Sequence, residues 1–353
     1  TKNFTTGAEF QKRIDSVLTL AFGNVGFAYA PDPLHTVCDQ LSDWLSKYPK
    51  NSLVLLIDEY DAPLTACLDK PELFEQVRDS LSDFYAVLKS NDGALRFLFI
   101  TGITKYSKVS IFSEMNNLED IVLDPKYGTL LGYTEEEINR YFGGYVDNAA
   151  RVLGMATHEL MDAMRSHYDG YCFDEQAATH VYSPWSTLNF LKNPERNLRN
   201  YWIESGGQSS LLTSYVRSHS LKDPVQYGNL QSIPLDNLSI SADISTLDDV
   251  VLLMQAGYLT IKAVEYGTAY LDYPNREVAE SMAQYYTQVV LKRRNLAQIG
   301  AGDIVQCLMK GDADTFVDRL NKAFLSLDYT QYPITDESRC RALASVFLNG
   351  AGL

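Results

Sequence analysis

The chain has 353 residues, of which 46% are hydrophobic and 21% are charged, a composition ordinary for a globular protein of two or three domains. Its net charge of −15 repels phosphate backbones at long range, so the chain as a whole is a poor candidate for a free-standing nucleic-acid binder, although a local basic cleft is compatible with it. No apolar run approaches the roughly 20 residues of a membrane span, and the N-terminus has no signal-peptide pattern.

The cysteines indicate the cellular compartment of the protein, and the chain ends indicate whether the sequence is part of a longer one. The five cysteines are odd in number, widely spaced and without a CxxC pair, so they are predicted to be reduced, mostly buried thiols of a cytoplasmic protein. They are Cys38, Cys67, Cys172, Cys307 and Cys340. Because the chain begins at Thr1 rather than at a methionine and stops just after a predicted helix, we expect both ends to be cut from something longer.

The first hundred residues alternate between helices and strands. Capping and apolar spacing predict one helix from Thr6 to about Phe22 and a second from about Leu34 to Pro49. The apolar run 53–57 predicts a strand buried on both faces of a parallel sheet. A helix over 71–90 and a strand over 95–101 follow, which is the alternation of an α/β domain. A short strand at 121–123 is predicted to extend the same sheet.

Beyond Tyr133 the pattern becomes helical, with no strand predicted before residue 258. Helices are predicted to begin at the cap residues Thr134, Thr157, Ser183 and Thr246. The segments 258–264 and 268–273 then predict a hairpin directly after a helix, which is how a winged-helix module ends. From residue 275 onward the pattern is again helical.

The strongest chemical signal is the strand that ends in Asp58 and Glu59, typical of the Walker-B half of a P-loop ATPase. Ligands of open α/β sheets bind outside the carboxyl ends of the strands. In such an ATPase the aspartate holds the Mg²⁺ that bridges the β- and γ-phosphates, and the adjacent glutamate orients or polarises the attacking water. The alternative is a strand that simply ends in solvated acids.

A second signal lies at the end of the next strand, in the segment Thr101 to Lys105. One helical crossover separates the two strands, so their carboxyl ends are expected to meet. The hydroxyls of Thr101 and Thr104 are candidates for sensing the γ-phosphate, and Lys105 or Lys108 would add positive charge. The alternative is a threonine- and glycine-containing strand exit without a function.

The phosphate-gripping loop of a P-loop protein is missing from the sequence. No GxxxxGK[ST] occurs, and the only glycines before Asp58 are Gly7, Gly23 and Gly26. Without that loop, the backbone N–H groups and the lysine that surround the phosphates are absent. Either a P-loop lies upstream of Thr1, or the protein does not bind nucleotide.

Six strings, spread in order over most of the chain, carry a family resemblance. They are Leu55–Leu64 (LLIDEYDAPL), Phe99–Ile121 (FITGITKYSKVSIFSEMNNLEDI), His167–Phe173 (HYDGYCF), Val181–Leu191 (VYSPWSTLNFL), Tyr201–Gly207 (YWIESGG) and Leu252–Ile261 (LLMQAGYLTI). In them the chain resembles the predicted AAA-ATPase-like proteins of bacteria, many of which continue into a C-terminal PD-(D/E)XK nuclease-like domain. The resemblance implies a truncated α/β P-loop NTPase-like core with a parallel sheet, followed by mainly helical and winged-helix-like regions.

The resemblance also implies domains, cofactors and site residues. It implies an NTPase core lacking Walker A over 1–133, a helical lid with a winged-helix-like end over 134–274, and a helical region over 275–353 that leads into a nuclease-like domain. The cofactors would be ATP and Mg²⁺, with the metal role on Asp58, the water role on Glu59 and the sensor role on Thr101 to Lys105. Asp61 belongs to the first string without an assigned task.

The nuclease-like part is expected to lie downstream, so we expect no nuclease activity in this chain. Glu337 corresponds either to an early acidic residue of that domain or to a solvated helix face. Gly170 is predicted to be a helix C-cap, and the alternative is that it belongs to a lid segment that reaches the nucleotide. Lys292 to Arg294 is either a solvated helix face or a contact to a phosphate backbone, and Arg165 is a candidate arginine finger that acts in trans.

Two functions compete at this point. The first is an ATP-binding and hydrolysing AAA-type regulatory module coupled to a C-terminal nuclease-like effector, active as an ATPase in the intact protein and inactive in a chain without Walker A. The second is a non-catalytic scaffold with a degenerate nucleotide site, whose C-terminal part contacts DNA or a protein partner. The absent phosphate loop motivates the second.

Overall fold

The computed structural model describes residues 4–103, 118–202, 230–239, 248–330 and 332–353. The chain divides into two compact units. The first is Thr1–Glu119 with Ser209–His219 and Ser239–Asp248, and the second is Asp120–Gln208 with Ser220–Leu238 and Asp249–Leu353. In the parts of the chain that the structure describes, no helix combines the length and apolar character needed to cross a membrane.

Two capped helices begin the first unit, α1 at Gly7–Gly23 and α2 at Val37–Ser46. The Thr6 hydroxyl accepts the backbone N–H of Glu9 at 3.2 Å, which confirms the predicted start of the first helix. The second helix begins later than predicted because Thr36 and Asp39 form a capping box, and Leu34 is 83% exposed ahead of it. The buried face of α1 consists of Phe10, Ile14, Leu18 and Phe22.

A parallel strand pair follows, β1 at Leu53–Ile57 and β2 at Leu95–Ile100. Between them lie a short helix, α3 at Ala62–Thr65, and the amphipathic helix α4 at Pro71–Ser90. The register places Ile57 opposite Ile100, so both strands end at the same edge. This confirms the predicted helix crossover and the meeting of the two carboxyl ends.

The expectation that β1 is buried on both faces was wrong. Leu53 is buried, but Val54 is 52% exposed and Leu56 is 68% exposed, on the same face as Phe97 at 53%. Among the described residues this sheet has only two strands, and α1, α2 and α4 pack mainly on one another. An apolar run shows that both faces of a strand avoid charge, but it does not show how many layers cover the strand.

The residues predicted as a strand at Ile121–Leu123 form a turn instead. The N–H of Asp124 donates to the Ile121 carbonyl at 3.4 Å, and the N–H of Val122 donates to the Asp120 carboxylate at 3.1 Å. The Leu123 carbonyl accepts from the N–H of Glu175 at 3.0 Å. These hydrogen bonds pair the backbone of this segment with nearby residues and with Glu175 rather than with a strand, so no ladder forms.

Three helices open the second unit: α5 at Glu135–Leu153, α6 at Thr157–Tyr168 and α7 at Pro184–Lys192. The caps at Thr134 and Ser183 are confirmed. Thr157 was predicted as a cap but is the first helical residue, since Ala156 takes the cap position and Glu159 accepts its N–H at 2.9 Å. Their shared core includes Ile138, Ala149, Leu160, Met164, Tyr168 and Phe190, each fully buried or nearly so.

The predicted hairpin is confirmed as β4, Thr260–Glu265, and β5, Thr268–Asp272. Tyr266 and Gly267 both have positive φ, 49° and 78°, as a two-residue hairpin turn of type I′ requires. A further strand, β3 at Gln231–Pro234, was not predicted and pairs antiparallel with β5. It lies at the edge of the sheet, where its proline is tolerated.

Short helices precede the hairpin, α8 at Leu235–Ser239 and α9 at Asp249–Gln255. The predicted cap Thr246 lies outside the described residues. After the hairpin come α10 to α13, at Arg276–Val290, Ile304–Met309, Ala313–Leu325 and Glu337–Gly350. All five cysteines are free thiols and four are buried, as predicted. The winged-helix assignment and the three-domain division stay predictions.

Candidate functional site

Backbone pairing continues beyond the ends of β1 and β2. The N–H of Thr101 donates to the Ile57 carbonyl at 2.8 Å, and the N–H of Tyr60 donates to the Thr101 carbonyl at 2.9 Å. The two segments that leave the sheet are therefore held side by side. This arrangement brings Asp58 and Glu59 next to the first residue after β2.

The Thr101 hydroxyl contacts both candidate acids. It donates a hydrogen bond to Asp58 Oδ1 at 2.5 Å and accepts the backbone N–H of Glu59 at 3.3 Å. The side chains of Asp58 and Glu59 are both exposed, so a ligand and water can reach them. Three predicted site residues thus lie together, while Thr104 and Lys105 lie outside the described residues.

Glu59 has a left-handed backbone with φ of 49°, which is uncommon for a residue other than glycine. Its carbonyl accepts the N–H of Ala62 at 3.1 Å, at the start of α3. Such a conformation costs of order 1–3 kcal/mol and persists only where the surroundings hold it. Here the bonds to Thr101 and Ala62 hold it, and the bend directs the chain away from the sheet after Asp58.

Asp61 and Gly102 connect the same two segments, and neither residue was assigned a role from the sequence. Asp61 is 2% exposed, and its Oδ2 accepts the N–H of Ile103 at 3.0 Å. A Cβ on Gly102 would lie 2.4 Å from the Tyr60 ring and 2.8 Å from Asp61 Oδ1. A glycine between a strand end and a polar loop is the only sequence signal for this close approach.

The oxygen atoms of this site suit a small, hard cation that also binds phosphate. The Asp58 carboxylate is an oxygen ligand of the kind that Mg²⁺ prefers. Within the described residues, no group of three or more His, Cys, Asp or Glu side chains could hold a metal ion. A single carboxylate such as that of Asp58 is compatible with Mg²⁺ that takes its other ligands from phosphate oxygens and water.

The other residues singled out from sequence lie in the second unit. Gly170 follows the end of α6 with φ of 103°, which confirms its position beyond a helix C-terminus. Arg165 is paired with Glu135 at 2.9 Å and with Asp162 at 2.6 Å. Glu337 is exposed and paired with Arg341, as expected of a solvated helix face.

Comparison with known proteins gives a family-model match within the first unit and a longer alignment with a curated relative. A family model described as Predicted AAA-ATPase matches residues 2–112. A protein of Azotobacter chroococcum mcd 1, described as an uncharacterized protein in the vnfD 5′ region, is 30% identical over 284 residues. The alignment covers 79% of this chain and 51% of that protein, so the chain spans about half the length of this curated relative. No solved structure matches the chain.

The matched range of the family model contains both strand ends and every residue of the Asp58, Glu59 and Thr101 arrangement. Residues 2–112 are thus similar to the Predicted AAA-ATPase family, and this similarity suggests an ATPase-like function for the first unit.

Proposed function

We propose that the first unit supplies the metal-binding and water-binding side of an ATP-hydrolysing site. The observation that supports it best is the Thr101 hydroxyl, which bonds to Asp58 Oδ1 and to the N–H of Glu59 at the carboxyl ends of two parallel strands. Ligands of α/β sheets bind at that edge. The match of residues 2–112 to the Predicted AAA-ATPase family supports the same function.

Each residue has a distinct role in this proposal. Asp58 would hold Mg²⁺, which when bound neutralises charge on the phosphate oxygens. The exposed Glu59 carboxylate would orient and polarise the attacking water, and Thr101 would keep both acids in place. Thr104 and Lys105 would contact the γ-phosphate from the same segment.

The proposal also needs the phosphate-binding loop of a P-loop ATPase, and no GxxxxGK[ST] motif occurs in this sequence. We propose that this loop comes from another part of the full-length protein. Further proposals rest on the sequence alone. We propose a regulatory coupling to a nuclease-like effector, and a DNA or protein partner for the C-terminal part. We also propose a cytoplasmic location and a division into domains at 1–133, 134–274 and 275–353.

The test uses the full-length protein, with ATP binding and phosphate release measured with and without Mg²⁺. Glu59→Gln is expected to bind Mg²⁺–ATP with near wild-type affinity and to lose about 100-fold or more in kcat, because the amide is a poor base. Asp58→Asn is expected to weaken Mg²⁺ binding, so that hydrolysis becomes slower and requires a higher Mg²⁺ concentration. Glu72→Gln, an exposed glutamate at the start of α4, is the matched control and should leave kcat unchanged.

Two results would overturn the proposal. Wild-type protein that binds no ATP in the presence of Mg²⁺ would leave the non-catalytic scaffold as the function. Turnover by Glu59→Gln equal to that of the Glu72→Gln control would remove the role given to Glu59.

A further inference from the structure

We infer that Asp61 is a positioning residue, which holds the segment after β2 so that the Thr101 hydroxyl reaches both Asp58 and Glu59. This inference rests on the proposed function and concerns the same site. We name the contact between Tyr60–Asp61 and Thr101–Ile103 the loop junction. The proposed function gives metal binding to Asp58 and the attacking water to Glu59, so Asp61 would act through this junction.

Two hydrogen bonds fix the loop junction on either side of Gly102. Before it, the Thr101 carbonyl accepts the N–H of Tyr60 at 2.9 Å. After it, the N–H of Ile103 donates to Asp61 Oδ2 at 3.0 Å. A chain segment of three residues that is held at both ends cannot rotate freely, so the direction of the Thr101 side chain is fixed as well.

Gly102 permits this close contact. Its φ is not in the left-handed region, so the absence of a side chain, rather than backbone freedom, is what the position requires. Any Cβ would collide with the buried Tyr60 ring at 2.4 Å and with Asp61 Oδ1 at 2.8 Å. Glycine is the residue that lets the backbone pass this close to the side chains of Tyr60 and Asp61.

Asp61 itself is firmly placed. Its carbonyl accepts the N–H of Thr65 at 2.9 Å, which attaches it to α3, and its side chain is almost fully buried. Burial, and after it the charge of Asp61, raises the pKa of Tyr85 on α4. A buried carboxylate is costly unless hydrogen bonds satisfy it, and here it holds an N–H of the neighbouring loop.

The hydrogen bonds of the Thr101 hydroxyl depend on the geometry of the loop junction. These bonds of 2.5 and 3.3 Å would not survive a displacement of about 1 Å, since a hydrogen bond weakens steeply beyond its normal length. Misplacement of that size can cost about 100-fold in rate without loss of substrate binding. Loss of the Asp61 acceptor is therefore expected to lower kcat more than it raises KM.

Turnover by the full-length protein gives the first test. Asp61→Ala is expected to lower kcat at least 10-fold with KM for Mg²⁺–ATP changed less than 3-fold. Asp61→Asn keeps an oxygen that can accept the Ile103 N–H, so it should recover most of the rate and remains informative if the alanine variant does not fold. In a Thr101→Val background, Asp61→Asn and Asp61→Ala should have no further effect on kcat, because Asp61 acts through Thr101.

Asp174→Ala is the matched control for simple loss of stability. Asp174 is 1% exposed, and its carboxylate accepts the N–H groups of Gln176 and Ala178 in the second unit. Below its unfolding temperature this variant should keep the wild-type kcat. If Asp61→Ala also keeps it, or if the Asp61 and Thr101 effects simply add, Asp61 is structural and the inference fails.

Amide hydrogen exchange of the nucleotide-free protein separates this inference from the proposed function. Asp61→Ala is expected to speed exchange at the Ile103 amide, which loses its acceptor, and at the Glu59 amide, which loses Thr101. Faster exchange at Ile103 with an unchanged Glu59 amide would overturn the positioning role. This readout holds whether or not the protein hydrolyses ATP.

Discussion

Asp61 and Glu277 are two buried acidic residues whose surroundings differ. The Asp61 carboxylate accepts the Ile103 N–H in the first unit. Glu277, at the start of α10, is fully buried, and its Oε1 accepts the N–H of Trp202 at 2.9 Å. Burial is the largest influence on Glu277 and raises its pKa to about 7, against the opposing effect of its hydrogen bonds. The second unit therefore contains a carboxyl group that titrates near neutral pH.

The stability of the second unit should fall as pH rises from about 4.5 to above 7. The raised pKa means that the folded state binds the Glu277 proton more tightly than the unfolded chain, so its contribution is present at low pH and is lost through the folded pKa of about 7. The resulting loss in the free energy of unfolding is about 3 kcal/mol at most. Glu277→Gln keeps an oxygen for Trp202 but cannot ionise.

Urea unfolding at pH 5, 6, 7 and 8 measures this effect. Glu277→Gln should be more stable than wild type at pH 8 and nearly equal to it at pH 5. Glu337→Gln, an exposed carboxylate on α13, is the control and should follow the wild-type pH dependence. A Glu277→Gln curve that runs parallel to wild type from pH 5 to pH 8 would contradict the assignment.

At the residue scale, the sequence predicted the site in part. The acids after β1 and the hydroxyl after β2 follow from apolar runs that end in polar residues, and the crossover rule brings them together. The roles of Asp61 and Gly102 do not follow, because they depend on the packing of one loop against another across about 40 residues of chain. Spacing along a chain does not show such contacts.

At the scale of elements, the helices and turns marked by local sequence signals were predicted best. The N-cap residues Thr6 and Thr134 predicted the starts of α1 and α5, and Tyr266 and Gly267 predicted the hairpin turn, because each signal depends on a few neighbouring residues. The strand β3 was missed because its four residues, Gln231–Pro234, become a strand only by pairing with β5. The exposure of Val54 and Leu56 was missed for the same reason, since covering layers are tertiary.

Gly170 lies just after α6 and packs against Pro274, which lies just before α10. A side chain at position 170 should therefore be strongly destabilising. A Cβ would lie 2.1 Å from the Pro274 carbonyl oxygen, which accepts a hydrogen bond from Lys262 Nζ at 2.9 Å. The position also has φ of 103°. We expect Gly170→Ala to lower the free energy of unfolding by about 3 kcal/mol, since backbone strain and a clash with backbone both contribute.

Gly154→Ala is the matched control for Gly170→Ala. Gly154 ends α5 with φ of 67°, and nothing lies within 4 Å of its Cβ position, so it carries the conformational cost alone. That cost is about 1 kcal/mol. Equal losses for the two variants in urea unfolding would show that the Pro274 contact contributes nothing.

At the scale of the whole molecule, charge decides which partners can approach. Acidic residues number 45 against 30 basic ones, and negative side chains repel a phosphate backbone, whose binding depends on Lys and Arg neutralising the phosphates. The exposed basic residues Lys292 and Arg293 follow α10 with left-handed backbones, and Lys292 lies 3.9 Å from Asp328. Two cations beside an acid form a small basic patch on an acidic protein.

We therefore expect this chain to bind generic duplex DNA weakly, with a dissociation constant above about 10⁻⁴ M near 150 mM salt. Replacing Lys292 and Arg293 together by alanine should leave that binding unchanged, while Arg294 is kept because it donates to the Leu291 and Ser326 carbonyls. Fluorescence anisotropy over a range of salt concentrations measures both. Micromolar binding that falls steeply with salt and disappears in the double variant would show that the local patch outweighs the net charge, and would favour a DNA-contacting C-terminal part.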